Sequence, residues 1–318
     1  MKIVFMGTPD FAVPVLSMLW HEGHTVLKVI TQPDRPKGRK QQPAKPPVKE
    51  EAERLGLEVL QPEKVKEAVT DILDPHPDLV VTAAYGQLLP ESLLSGPPYG
   101  CVNVHASLLP KYRGGAPIHQ AVIDGEKETG VTLMYMVKKM DAGDMLAQAS
   151  LPIEETDTAG ALHDKLSELG TDLLRKTLPV IAARNVTPEP QEEAHVTYAP
   201  NLSRGQERID WQTSADAVYN QIRGMNPWPV AYTHWGDDRL KIWRASRTSE
   251  RFPQKKPGEV VRATADEGII VACGDEYGLS LQEVQPAGKK KMAVSDFLRG
   301  RGQSLAVGEV FGNGENDG

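Results

Sequence analysis

Cysteine is scarce in this 318-residue chain: Cys101 and Cys273 lie far apart, with no CxxC pair and no Cys/His cluster. That argues against a zinc site and fits a reducing compartment. Long apolar runs are also missing. None approaches the roughly 18 residues of a membrane span. The opening MKIVFMGTPDF reaches Pro9 and Asp10 too soon for a signal peptide. The expectation is a cytoplasmic protein with no membrane partner. Aromatic residues make up only 6%, so no base-stacking platform stands out. An excess of positive charge is absent as well: the formal net charge is −7, which taken alone disfavours a polyanionic partner.

What is present is ordinary globular material, 40% hydrophobic and 25% charged. The length exceeds the usual size of one domain, about 100 to 200 residues, and suggests two. Net charge averages over a surface, and a local basic patch still binds phosphate. Residues 31–49 form such a patch, with Arg35, Lys37, Arg39, Lys40, Lys45 and Lys49 against Asp34 alone. Five prolines and a glycine there predict a loop.

Periodicity organises the rest. Lys2–Met6, Thr25–Ile30, Leu57–Leu60, Leu79–Ala84 and Gly100–Val104 read as strands, alternating with helical spacing after Pro9, over Val48–Leu55 and over Pro62–Leu73. A further helix starts near Pro117, a good first-turn residue. Gly130–Val137 and Met145–Ile153 add strands, and Asp157–Ala183 closes the domain with a leucine-striped helix. This predicts an α/β, Rossmann-like, mostly parallel sheet with helices on both faces. The expected domains are residues 1–185, a Pro-rich linker at 186–205, and 206–312, where short, evenly spaced strands suggest a small, OB-like β-barrel. Trp228, in NPWP, is expected to pack that barrel.

The first βα turn, GTPDF, lacks the G-x-G-x-x-G fingerprint, and no acidic residue ends the second strand, so dinucleotide binding is set aside. The informative stretch is Cys101–Pro110, CVNVHASLLP. Alternation along a strand puts Cys101, Asn103 and His105 on one face, at the carboxyl end where open α/β sheets bind ligands. An amide can donate to a developing oxyanion, and an imidazole can do so when protonated or can exchange a proton. The alternative is that both merely satisfy buried backbone groups. In KKMDAGDM, either Asp141 or Asp144 can orient His105, although aspartates also occupy such turns for their own conformational reasons. Spacing does not choose between them.

NVHASLLPKYRGGAP followed by MDAGDML resembles the signature of the 10-formyltetrahydrofolate-dependent formyltransferases. The resemblance implies a catalytic trio of Asn103, His105 and Asp141, and a folate-binding segment at Ser107, Leu108, Leu109 and Pro110. It also implies a pterin-lining loop in AYGQLL, with Leu88. GTPDFA, TQPDRPKGR, AYGQLLP, NPWP and QPAGKKKM extend the resemblance to the branch that formylates initiator methionyl-tRNA. A departure is Gly114-Gly115, where Gly-Ala is expected. The co-substrate implied is 10-formyltetrahydrofolate, with no metal, since folate brings an activated acyl group. The implied tRNA contacts are Arg35, Lys37, Arg39, Lys40, Lys289 and Lys290, in a protein expected to be monomeric. Two competing functions are formyl transfer to a nucleotide-linked amino sugar and non-catalytic RNA binding. The basic residues argue against the first, and the polar trio against the second.

Overall fold

The structure, a computed structural model, describes residues 1–37 and 42–312. Contacts divide the chain into two units. The first comprises Met1–Pro117, Glu128–Pro152 and His163–Pro200; the second comprises Ile118–Lys127, Ile153–Leu162 and Asn201–Gly318.

Near-continuous apolar runs build the first unit. The elements in chain order are β1 (Lys2–Gly7), α1 (Val13–His21), β2 (Thr25–Ile30), β3 (Arg35–Lys37), β4 (Gln42–Ala44), α2 (Pro47–Arg54), β5 (Val59–Leu60), α3 (Val69–Leu73), β6 (Leu79–Ala83), α4 (Glu91–Leu94) and β7 (Cys101–His105). Then come α5 (Pro117–Ile123), which from Ile118 belongs to the second unit, β8 (Glu128–Tyr135), β9 (Met145–Pro152) and α6 (Ala159–Ala182), which belongs to the first unit from His163. The seven-stranded sheet has the order β5-β2-β1-β6-β7-β8-β9. Strands β5 to β7 are parallel, while β8 and β9 are antiparallel additions. The order reverses between β1 and β6, and the carboxyl ends of strands at such a reversal are where open α/β sheets bind ligands. Gly7 is needed there: a Cβ would lie 2.9 Å from the Ala83 carbonyl oxygen. Helix α6 approaches β7 closely through Gly170, whose hypothetical Cβ meets a Val104 methyl at 2.7 Å. By alternation Asn103 and His105 project from the opposite face of β7.

On either side of residues 38–41 the basic segment, expected to be a loop, forms short strands. β3 and β4 pair antiparallel, Arg35 opposite Ala44 and Lys37 opposite Gln42, in a two-stranded ribbon.

The second unit contains α7 (Ala215–Gly224), β10 (Tyr232–Trp235), β11 (Asp238–Arg251), β12 (Val260–Thr264), β13 (Gly268–Ala272), β14 (Tyr277–Pro286), β15 (Met292–Ala293) and α8 (Val294–Arg299). The expected barrel is corrected to an open antiparallel sheet, ordered β10-β11-β14-β13-β12 with β15 on β14. Among the described residues its two edge strands do not pair with each other, and other segments share hydrogen bonds with them. The Val260 N–H donates to Glu309 O, and Gly308 N–H to Val260 O, along β12. On the other edge, Ile209 N–H donates to Tyr232 O. Apolar side chains from both helices and the sheet, among them Val218, Ile222, Ile242, Leu279 and Phe297, form its core with Trp211 from the turn before α7. Trp228 does not pack there. It is 69% exposed, and Trp211, 3% exposed, fills the core instead.

Candidate active site

The site begins at the switch point. Thr8 Oγ1 donates to the Tyr85 carbonyl (3.0 Å), and Gln32 Nε2 to the same oxygen (3.1 Å), tying the first βα turn to the loop after β6. Next to it, Thr82 on β6 lies opposite Asn103 on β7. Its hydroxyl donates to Asn103 Oδ1 at 2.7 Å. With the amide oxygen so occupied, the Nδ2 end remains for donation.

His105 is buried, and its Nε2 lies 3.1 Å from the Tyr112 carbonyl oxygen. A carbonyl only accepts, so Nε2 carries the proton, and Nδ1 is the nitrogen directed elsewhere. It faces Asp141 Oδ2 at 3.8 Å. That is beyond hydrogen-bond length and within ion-pair reach when the imidazole is protonated. Asp141 Oδ2 also accepts from the Gly114 backbone N–H at 2.8 Å. Asp144 is exposed, and the carboxylate that the structure brings to His105 is that of Asp141. Two positions exclude side chains around this turn. A Cβ on Gly143 would lie 1.7 Å from Tyr135 O, and one on Gly114 2.4 Å from Ala199 O. Cys101 shares the face of Asn103, but burial pushes its thiol up to about 12, which keeps it protonated and non-nucleophilic near neutral pH.

The segment after β7 is shaped from behind. Thr132 Oγ1 donates to Ser107 O (2.7 Å) and accepts from Leu109 N–H (3.0 Å), and Gln148 Nε2 donates to Leu109 O (2.8 Å). Ser107 is buried, its hydroxyl turned to Lys111 O, and Leu109 is also buried. Leu108 and Pro110 are half-buried, while Leu88 is 60% exposed. A pterin-sized apolar ligand can touch the last three; Ser107 and Leu109 act on the shape of the segment.

The basic residues are partly committed. Arg35 pairs with Glu63 at 2.8 Å, Lys45 with Glu53 and Lys49 with Asp34. Hydrogen bonds from Gln61 and then Lys49 hold the Asp34 carboxyl below its ordinary range. Lys289 and Lys290 are exposed in the second unit. Arg39, Lys40 and the Lys37 side chain lie outside the described residues.

Residues 1–178 match the family described as Formyl transferase, and residues 201–302 match Formyl transferase, C-terminal domain. The methionyl-tRNA formyltransferase of Bacillus licheniformis is 59% identical, over 98% of this chain and 98% of that protein; the one from Bacillus subtilis is 56% identical over the same shares. The chain belongs to the formyl transferase family, in its methionyl-tRNA formyltransferase branch. It is an enzyme, a one-carbon group transferase. Among solved structures, an N-formyltransferase from Helicobacter canadensis, in complex with folinic acid and dTDP-3-aminofucose, superposes with a TM-score of 0.68 at 19% identity. The match covers 89% of this chain and 99% of that one. HypX from Aquifex aeolicus, in complex with tetrahydrofolic acid, gives 0.66 at 18% identity, over 97% of this chain and 48% of that one. At such identities the likeness is one of fold.

Family motifs pointed to the trio but not to the groups that hold it. Thr82 had a signal, being the one hydroxyl in the apolar run LVVTAA. The Tyr112 carbonyl, the Gly114 N–H and Gln191 had none, because backbone groups and a residue fifty positions away leave no spacing to read.

Proposed function

We propose that this chain transfers the formyl group of 10-formyltetrahydrofolate to the free amino group of methionine esterified to initiator tRNA, with Asn103, His105 and Asp141 carrying the transfer. The observation that carries the reading is identity to methionyl-tRNA formyltransferases along almost the whole chain. The product, N-formylmethionyl-tRNA, serves translation initiation in the cytoplasm, and the protein acts as a monomer.

The amine nitrogen attacks the formyl carbon; the new C–N bond forms and the bond to folate N10 breaks. N10 gains a proton as the amine loses one. Asn103, its Oδ1 held by Thr82, donates through Nδ2 to the formyl oxygen as that oxygen gains charge. His105 Nδ1, protonated, adds a second donor from the same face. Asp141, facing that nitrogen, holds the imidazolium and helps to move the amine's proton. Leu88, Leu108 and Pro110 contact folate, with Ser107 and Leu109 fixing their backbone. Arg35, Lys37, Arg39, Lys40, Lys289 and Lys290 contact tRNA phosphates. Residues 1–185 form the catalytic domain, 186–205 connect it, and 206–312 form the tRNA-binding domain.

The test mixes purified protein with 10-formyltetrahydrofolate and aminoacylated initiator or elongator tRNA. Formyl-methionine on the initiator alone is expected. Formyl transfer to a nucleotide-linked amino sugar, with none to tRNA, would reject the reading.

A further inference from the structure

Residues 186–200 read as a linker, yet within the first unit they form a strap across the loops that carry the trio. Glu189 and Met145 exchange backbone hydrogen bonds, each of 2.8 Å. Arg113 N–H donates to Thr197 O at 2.9 Å, and Ala199 N–H to Arg113 O at 2.8 Å. Between these points lies Gln191. Its Nε2 donates to the carbonyls of Asp141 (2.7 Å) and Gly143 (2.8 Å). Its Oε1 accepts from Arg113 Nε at 2.9 Å.

This arrangement leaves the amide one orientation. A guanidinium only donates, so the oxygen must face Arg113 and the NH2 group must face the turn. Arg113 is itself fully buried, and its two terminal nitrogens each lie 3.1 Å from Glu193 Oε1. Glu193 also takes Lys139, at 3.2 Å. Hydrogen bonds from Lys139 and then Arg113 hold its carboxyl below the ordinary range. The strap thus grips both the loop that presents Gly114 to Asp141 and the turn that contains Asp141.

Asp141 needs such a grip. Its φ is +47°, in the left-handed region that side chains other than glycine rarely occupy. Such a residue persists only where its surroundings over-determine it. The two carbonyls bound by Gln191 bracket the turn, and the backbone conformation at Asp141 decides whether its carboxylate meets His105.

We propose that Gln191, oriented by Arg113, is a positioning residue for Asp141: it fixes the strained turn so that the carboxylate faces His105. The proposal rests on the assignment of Asp141 made above. Gln191→Ala is expected to lower kcat about 10- to 100-fold with little change in KM for folate or tRNA. Gln191→Glu keeps the shape and the Arg113 contact but sets an oxygen against two carbonyl oxygens. It is expected to lose at least as much kcat, and it decides the matter should the alanine variant fail to melt cooperatively. In an Asp141→Asn background, Gln191→Ala should cost less than about threefold further, because the side chain it serves no longer works. Wild-type kcat in Gln191→Glu, a loss confined to KM, or full additivity with Asp141→Asn would overturn the proposal. Wild-type turnover in Asp141→Asn alone would instead overturn the trio, so the two failures are distinguishable.

Discussion

Asn103 works only if the correct end of its amide faces the reacting group, and Thr82 sets that end. Removing the Asn103 donor, as in Asn103→Ala, should cut kcat about 100- to 1000-fold, the usual effect of one lost oxyanion donor. Thr82→Val leaves the donor in place but frees the amide to rotate and leaves its oxygen unpartnered. A smaller loss is expected, about 10-fold in kcat, restored by Thr82→Ser. Steady-state kinetics with saturating folate measures both. Near-normal turnover in an Asn103→Ala, His105→Ala double variant would remove these residues from the reaction. At this scale, alternation along one strand is enough to pair Asn103 with His105. The choice between Asp141 and Asp144 was not legible in spacing and came only from the family resemblance. In a turn the direction of a side chain follows from φ and from tertiary partners, and the partners here lie at Gly114 and Gln191, far away in sequence.

Elements carry the site by bringing β7 into register with its neighbours, and α6 supports β7 from behind. Gly170 is the contact point, with Val104 and Val131 methyls at 2.7 and 3.3 Å from a Cβ placed there. Gly170→Val should push the helix from the sheet and lower unfolding stability by about 1–3 kcal/mol, as overpacked cores do. Gly170→Ala should cost less, because the gain in helix propensity offsets part of the clash. Urea denaturation distinguishes them, and equal stability of the valine variant would mean that the helix does not bear on the strand. The parallel strands were legible because burial on both faces leaves a continuous apolar run. β11 was legible only in part: register shifts after Ile242 and after Arg244 break its alternation, so a strand of 14 residues reads as a short one ending at Arg244. Helix α7 had its signals, a Ser214 cap that accepts from Ala217 N–H and the apolar spacing of Val218 and Ile222. A reading of the second domain as short strands alone passes over them. The pairing of residues 308–309 with the edge of β12 had none, because it is made by backbone groups far from that strand in sequence.

For the molecule as a whole, a net charge of −7 and a polyanionic substrate stand in tension. They are reconciled only if local positive charge does the binding. Six basic residues in positions 31–49 supply one such field, and Lys289, Lys290 and Lys291 a second. Ion pairing reduces both: Arg35 meets Glu63, and Lys291 meets Glu283 at 3.1 Å while lying over Trp243. Exposed pairs of this kind are worth about 0–1 kcal/mol, so a phosphate can displace the carboxylate at small cost. Each phosphate contact then releases counterions, and the logarithm of affinity falls with the logarithm of salt by about 0.9 per contact on duplex nucleic acid. Replacing Arg35, Lys37, Arg39 and Lys40 by neutral residues should therefore raise KM for charged tRNA, leave KM for folate unchanged and flatten the salt dependence by about 0.9 for every contact removed. The Lys289, Lys290 pair should give a separate, smaller flattening that adds to the first if the two fields touch different phosphates. Titrating KM for tRNA against potassium chloride in each variant and in their combination measures this directly. An unchanged slope after the first replacement would mean that the basic segment, whatever its charge, does not touch the tRNA backbone.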